Sequence, residues 1–169
     1  MRWISHELVT GVLVYAFTGG NAICAAAACA GSLVPDAIEG RVPRDPRGKM
    51  RWERSHRAIS HWFVPYCLGA GSGFAAWLVT EHSAITPAGM VLALICGRNR
   101  GTLFLIAGFV FLGALFHIGE DALCGCVPSF NPGKRMGVRL FSVGSVREQL
   151  ITAFVVASFV IVCLKGVLW

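Results

Sequence analysis

Three apolar stretches constrain this chain more than anything else in it: residues 62 to 80, 101 to 118 and 149 to 168. About twenty apolar residues in helical form cross the hydrocarbon core of a bilayer. In lipid each backbone N–H and C=O has to be satisfied inside its own segment, so such stretches must be helical. A mean hydropathy of +0.64 with 14% charged residues agrees, and lies far from a soluble globular composition. The 169 residues suffice for one domain. The expectation is an all-α integral membrane protein. It has about three full spanning helices and shorter broken or hairpin helices, with its polar chemistry gathered at one membrane face.

The first apolar region, His6 to Val34, is too long for one crossing, and "TGGN" at 18 to 21 breaks it in the middle. Gly-Gly-Asn is turn chemistry. Each half holds about a dozen residues and rises ~18 Å, too short to cross alone. Two such helices form a hairpin that returns the chain to the face it left, bringing His6 beside Asp36; a single tilted helix would separate them. Pro35 disfavours helical backbone at Val34, so the helix is expected to stop there and leave Asp36 as a loop carboxylate. Residues 84 to 97 form another short run, ending in "GRNRG". Two arginines cannot lie in lipid, so 81 to 100 reads as a partial hairpin or interfacial helix on the opposite face. At the N-terminus Arg2, an apolar run and "AAAACA" imitate a secretory signal. His6 and Glu7 interrupt that run, so the segment is expected to stay in the mature protein.

Seven cysteines lie mostly inside apolar runs, where they behave as small buried residues. They show no disulfide framework. Cys124-Gly-Cys126, just beyond Asp121, is the one suggestive pair.

Two polar blocks, 35 to 57 and 125 to 148, interrupt the apolar pattern. Ionisable residues gather where apolar segments meet them: His6, Asp36, Glu39, His56, His61, His117, Glu120 and Asp121. Such groups at membrane depth are expensive and mark function by default. His117 and Asp121 stand four apart on a helix, ~40° around its axis, so both can reach one ion. His56 and His61 stand five apart, ~140° on an ideal helix. They converge only if His56 lies in the loop before the helix, or each serves its own ion. Plainer readings exist for each piece: an interfacial His6, a basic flank of His56 and His61 beside Arg54 and Arg57, a hydrogen-bonded His117–Asp121 pair. The pieces adjoin the same two polar blocks, which favours one shared site. His82, in "TEHSA", falls on the opposite face and reads as a solvated loop histidine. A mixed imidazole and carboxylate set suits zinc or another divalent hydrolytic metal.

In order along the chain, His6, "LVPD" with Asp36, "HRAISHW" with His56 and His61, and "HIGED" with His117 and Asp121 precede "PSFNP" and "RLFSVGS". This series resembles the YdjM-type membrane-bound, metal-dependent hydrolases of the bacterial inner membrane, over essentially the whole chain. The family often continues "PDxD", whereas Ile38 stands here with Glu39 one residue on, and "SHW" replaces "THS". The acidic motif therefore supplies one ligand or two. The resemblance extends remotely to the zinc-dependent phospholipase C and nuclease superfamily, and implies a site with two or three zinc ions that cleaves phosphodiesters.

The expected activity is hydrolysis of a phosphoester or phosphodiester in an amphiphilic substrate at the lipid–water boundary. His6, Asp36, His56, His61, His117 and Asp121 are expected to hold divalent metal. Glu39 or Glu120 would serve as base or bridging ligand, with Arg57, Lys134, Arg135 and Arg139 on phosphate oxygens, which arginine forks match. The rival is a non-catalytic membrane protein whose metal cluster is a structural clasp in a partner or transport subunit. Nucleic acid is not an expected partner: a formal charge of +6 is ordinary for attraction to anionic lipid. Basic residues cluster beside the site segments, from Arg41 to Arg57 and from Lys134 to Arg147. The positive-inside rule then turns the site to the cytoplasm and the C-terminus outward.

Overall fold

The structure, a computed structural model, describes residues 2–82 and 100–164, without the side chains of 53–55, 82, 100 and 164. Its elements are α1 (Trp3–Phe17), α2 (Ala22–Ser32), α3 (Val34–Glu39), α4 (Pro46–Ser55), a 3-10 turn (Ile59–His61), α5 (Phe63–His82), α6 (Arg100–Cys124) and α7 (Val146–Leu164). Two-residue strands, β1 (Val127–Pro128) and β2 (Arg135–Met136), pair antiparallel between α6 and α7. Four stretches have the length and apolarity to cross a membrane: Ala22–Glu39, Phe63–Glu81, Gly101–Cys124 and Val146–Cys163. The chain is an all-α membrane protein. The segment 84 to 97 lies outside the described residues. The backbone of His82 closes α5 rather than sitting in a loop.

The hairpin forms where the sequence marks it. Gly19 and Gly20 take φ of 62° and 89°, values that a residue without a Cβ adopts at little cost. Asn21 then caps α2, its side-chain oxygen accepting from the amides of Ile23 and Cys24, each at 3.1 Å. The arms are longer than a dozen residues, and the second, Ala22–Glu39, is itself one of the four crossing stretches. Pro35 does not end the helix. The chain kinks at Leu33, and α3 restarts with Pro35 in its first turn, where a missing N–H is harmless and a fixed φ helps. Asp36 is therefore helical, and Glu39, three residues on, shares its face.

A second helix inside the first polar block, α4, begins at Asp45-Pro46, where the Asp45 carboxylate accepts from Gly48 N at 2.6 Å. An N-cap aspartate followed by proline is a helix start.

Helix α6 is the axle of the fold, packing against both α2 and α5. A Cβ on Gly31 would run into the backbone of Val110, and one on Gly113 into that of Ala28. Glycine at these two positions lets α2 and α6 touch backbone to backbone, the close approach that drives helix association in lipid. His117 lies about 25 Å along α6 at 1.5 Å per residue, near one edge of a ~30 Å hydrocarbon core. The polar residues at the ends of α1, α3 and α5 meet it there. Helix α7 leans on α1 and is otherwise open to lipid.

Candidate metal centre

Side chains from four separate pieces of backbone converge at this edge. Helix α1 brings His6, α3 brings Asp36 and Glu39, the 3-10 turn brings His61, and the last turns of α6 bring His117, Glu120 and Asp121. The imidazoles of His6, His61 and His117 are fully buried, as is Asp121.

Three donor atoms, from Asp36, His61 and His117, lie close enough together to hold one ion, and Asp121 Oδ2 also approaches both imidazoles. His61 Nε2 lies 3.2 Å from His117 Nε2, 3.5 Å from Asp36 Oδ1 and 3.4 Å from Asp121 Oδ2. His117 Nε2 lies 3.5 Å from Asp36 Oδ1 and 3.8 Å from Asp121 Oδ2. A tetrahedral zinc with bonds of ~2.0–2.2 Å has ligand–ligand edges of about 3.3–3.6 Å. The Asp36–His61–His117 edges match that size to within a few tenths of an ångström. A second group shares two of these residues: His6, His117 and Asp121 also offer three mutually close ligand atoms. His6 Nε2 is 3.5 Å from Asp121 Oδ1, and the His6 and His117 rings stack at 4.0 Å. Neither His6 Nε2 nor His117 Nδ1 has a hydrogen-bond partner, although both are buried. Such orphaned polar atoms demand an explanation, and a bound cation on this side of Asp121 would supply one.

Behind the donors stand carboxylates. Glu120 Oε2 is 2.5 Å from His6 Nδ1, and Glu39 Oε1 is 3.1 Å from His61 Nδ1. Holding Nδ1 in this way turns Nε2 inward, the arrangement that orients metal-binding histidines. Glu39 and Glu120 are thus placed behind the imidazoles rather than among the ligand atoms. Burial disfavours the charged form of His61. Hydrogen bonds to Asp121, Asp36 and Glu39 outweigh that and raise its imidazole to about 10. Among the described residues, four carboxylates, Asp36, Glu39, Glu120 and Asp121, meet the guanidinium of Arg57 and the imidazoles of His6, His61 and His117. Buried carboxylates in such number call for cations or bound protons.

Arg57 is the residue whose role its neighbours in sequence do not reveal. Its backbone is left-handed, at φ 56°, which is uncommon for a residue with a long side chain. Three contacts hold it there. Its amide donates to Glu39 Oε1 at 2.6 Å, and its guanidinium grips Asp121 with Nε at 2.7 Å and Nη2 at 2.9 Å. Gly125 leaves room for the guanidinium, since a Cβ there would crowd Nη1. The sharp turn at Arg57 also separates His56 from His61. His56 caps the end of α4, stacks on Trp52 at 4.2 Å and bonds Glu39 through Nδ1. It lies before the helix, as convergence would require, yet stays outside both ligand groups, because Glu39 and Trp52 hold its ring.

Of the remaining expected site residues, Lys134, Arg135 and Arg139 are exposed on the hairpin and the irregular segment after it. Among the described residues, none forms an ion pair or hydrogen bond with the cluster. The described cysteines are free thiols; Cys124 donates to the Glu120 carbonyl at 3.4 Å, and neither it nor Cys126 joins a ligand group. Trp3 and Ser60 contribute without having been marked by charge or spacing: Trp3 Nε1 donates to Asp36 Oδ2 at 2.7 Å, and Ser60 Oγ to Glu39 Oε1 at 2.6 Å. A cavity of about 500 Å³ opens beside the cluster, lined by Trp3, Asp36, Glu39, Arg41, Trp52 and His56 among others.

Comparison with family models, curated proteins and solved structures returns no match for this chain.

Proposed function

We propose that the protein is a membrane-embedded, metal-dependent hydrolase acting on a phosphoester or phosphodiester of an amphiphilic substrate. The observation that carries the reading is the set of three donor atoms, from Asp36, His61 and His117, at the edge lengths of a zinc site, beside a cavity with a partly apolar wall. His6 would join His117 and Asp121 around a second ion. Divalent zinc suits this donor chemistry, and its Lewis acidity makes water a competent nucleophile near neutral pH.

The chain's own residues have distinct tasks in this reading. Glu39 and Glu120 fix the tautomers of His61 and His6. Arg57 orients Asp121 by a two-point grip. Trp3 and Trp52 offer aromatic walls for an apolar chain, Arg41 stands at the rim to meet phosphate, and His56 with Glu39 forms a proton-carrying pair facing the cavity. The resemblance to YdjM-type hydrolases points to the same chemistry. The basic residues around the site favour a bacterial inner membrane with the site on the cytoplasmic side.

One observation favours a rival. Structural zinc sites are closed, whereas catalytic ones keep a position open, and Asp121, whose Oδ2 approaches both imidazoles, would close the His61 side as a fourth donor. A purely structural clasp would then hold α3, the 3-10 turn and α6 together. Two measurements separate these readings. Elemental analysis should find zinc or a similar divalent ion in purified protein, retained in His82→Ala and lost in His117→Ala. Phospholipid and polyprenyl-phosphate substrates should then be hydrolysed by the loaded protein alone. Metal without turnover on any such ester would leave the clasp, and protein without metal would sink both. Reporter fusions at Trp169 test the orientation: alkaline phosphatase active and a fluorescent protein dark there place the site in the cytoplasm.

A further inference from the structure

Helix α7 carries a feature that the metal cluster does not use. Two apolar hollows, of about 440 Å³ where α1, α6 and α7 meet and about 300 Å³ along the α1–α7 seam, share Leu13 and Val155, so they form one continuous groove. On α7 its lining runs from Ile151 to Val162. That is about 17 Å of rise at 1.5 Å per residue, the depth of one leaflet of a ~30 Å core. At its polar end the groove reaches Phe141, which it shares with a third cavity of about 480 Å³. This upper cavity is lined by Arg139, Arg147, Ser142 and Ser145 and by no acidic residue. Neither arginine is ion-paired among the described residues.

We infer that this groove is a binding site for one anionic phospholipid, with its phosphate between Arg139 and Arg147 and an acyl chain lying between α1 and α7. Charge complementarity selects the head: two guanidiniums with adjacent serine hydroxyls match phosphate oxygens. Depth selects the tail, since the groove ends where an acyl chain of one leaflet ends. The site is separate from the cavity beside Asp36 and Glu39, with which it shares no lining residue. It nevertheless touches the cluster from behind, because Glu120, the partner of His6, lines the upper groove. Arg139 thereby acquires a lipid-anchoring role rather than one in holding substrate.

Native mass spectrometry of the full chain released from detergent tests this, with dioleoyl phosphatidylglycerol and dioleoyl phosphatidylcholine as probes. One phosphatidylglycerol should be retained in preference to phosphatidylcholine. The double variant Arg139→Gln/Arg147→Gln should lose that preference, binding phosphatidylglycerol on the order of tenfold more weakly. Val155→Trp, which fills the shared part of the groove, should reduce retention of both lipids. The arginine pair is exposed and its replacement leaves the helices packed, so thermal unfolding of that variant should match wild type. Equal retention of the two lipids by wild type, or an unchanged preference in the double variant, overturns the assignment. So does a lipid-free dimer as the stable species, which would give the groove to a second copy of the chain.

Discussion

His117 stands between two unlike halves of one cluster. On one side, His61 and Asp36 complete a three-atom set with zinc-sized edges, and Glu39 backs it while also bonding Arg57, Ser60 and His56. On the other side His6 and Asp121 make a three-atom set, backed by Glu120 and still holding orphaned nitrogens. The first half is heavily braced and borders the cavity, and the second is buried and lightly braced. Well-oriented ligands hold metal more tightly. The two halves of one cluster therefore differ in how tightly each would hold an ion.

The most damaging change should be the one that strikes both halves. Asp121→Ala removes the carboxylate they share and strands Arg57, and breaking a buried ion pair in this way costs about 3–5 kcal/mol. Metal content by elemental analysis should fall close to zero, with a large drop in unfolding temperature in detergent. Half the metal remaining would mean that the halves do not share Asp121. Next comes the pair that separates them. His61→Ala should abolish the tightly held ion, whereas His6→Ala should cost only the weaker equivalent in a chelator titration. Equal losses would erase the distinction.

The bracing carboxylates give a finer version of the same test. Replacing a residue that orients a ligand typically lowers metal affinity 10–100-fold. Glu39→Gln should lie at the upper end and Glu120→Gln at the lower, because Glu39 holds three further groups. Competition with a zinc-sensitive dye would rank them.

The pH response follows from His61, whose raised imidazole binds a proton in the fold that the unfolded chain releases near 6.5. A raised pKa stabilises the metal-free protein fully below 6.5, and that contribution is lost as pH rises through about 10. The unfolding temperature of the metal-free protein should therefore drift down across this interval. Metal affinity should rise over the same interval, since the ion displaces the proton. A flat profile would show that His61 is neutral without metal. The smallest effect is expected at Glu148, which accepts from Arg2 N, Ser5 Oγ and Gly144 N. Glu148→Gln keeps the shape and weakens these bonds by about 1–2 kcal/mol in total. Only the His6 half should respond.

The parts legible in the sequence were those written in local spacing. His117 and Asp121, four apart on a continuous apolar helix, could be paired from the helical repeat alone. His6 joined them only because Gly19, Gly20 and Asn21 reverse the chain, and turn chemistry is also local. Asp36 was found for a partly mistaken reason: Pro35 was expected to end a helix, but it begins one. That shift explains Ile38, since on α3 the face of Asp36 is continued by position 39 and not 38. Arg57 was not legible as a brace, because a left-handed arginine held by Glu39 and Asp121 depends on contacts 18 and 64 residues away. The long basic hairpin offered charge without geometry, and its arginines went elsewhere.

Glu148 closes a contact with Ser5 across 143 positions of chain. During synthesis Asp36, His61 and His117 all leave the ribosome before α7 does. The braced half can assemble on a nascent chain, while the helix carrying His6 waits for its anchor until the last described helix has entered the membrane. Anchoring of the His6 half is thus tied to the arrival of α7, and a chain arrested before α7 would carry the braced half with His6 unanchored.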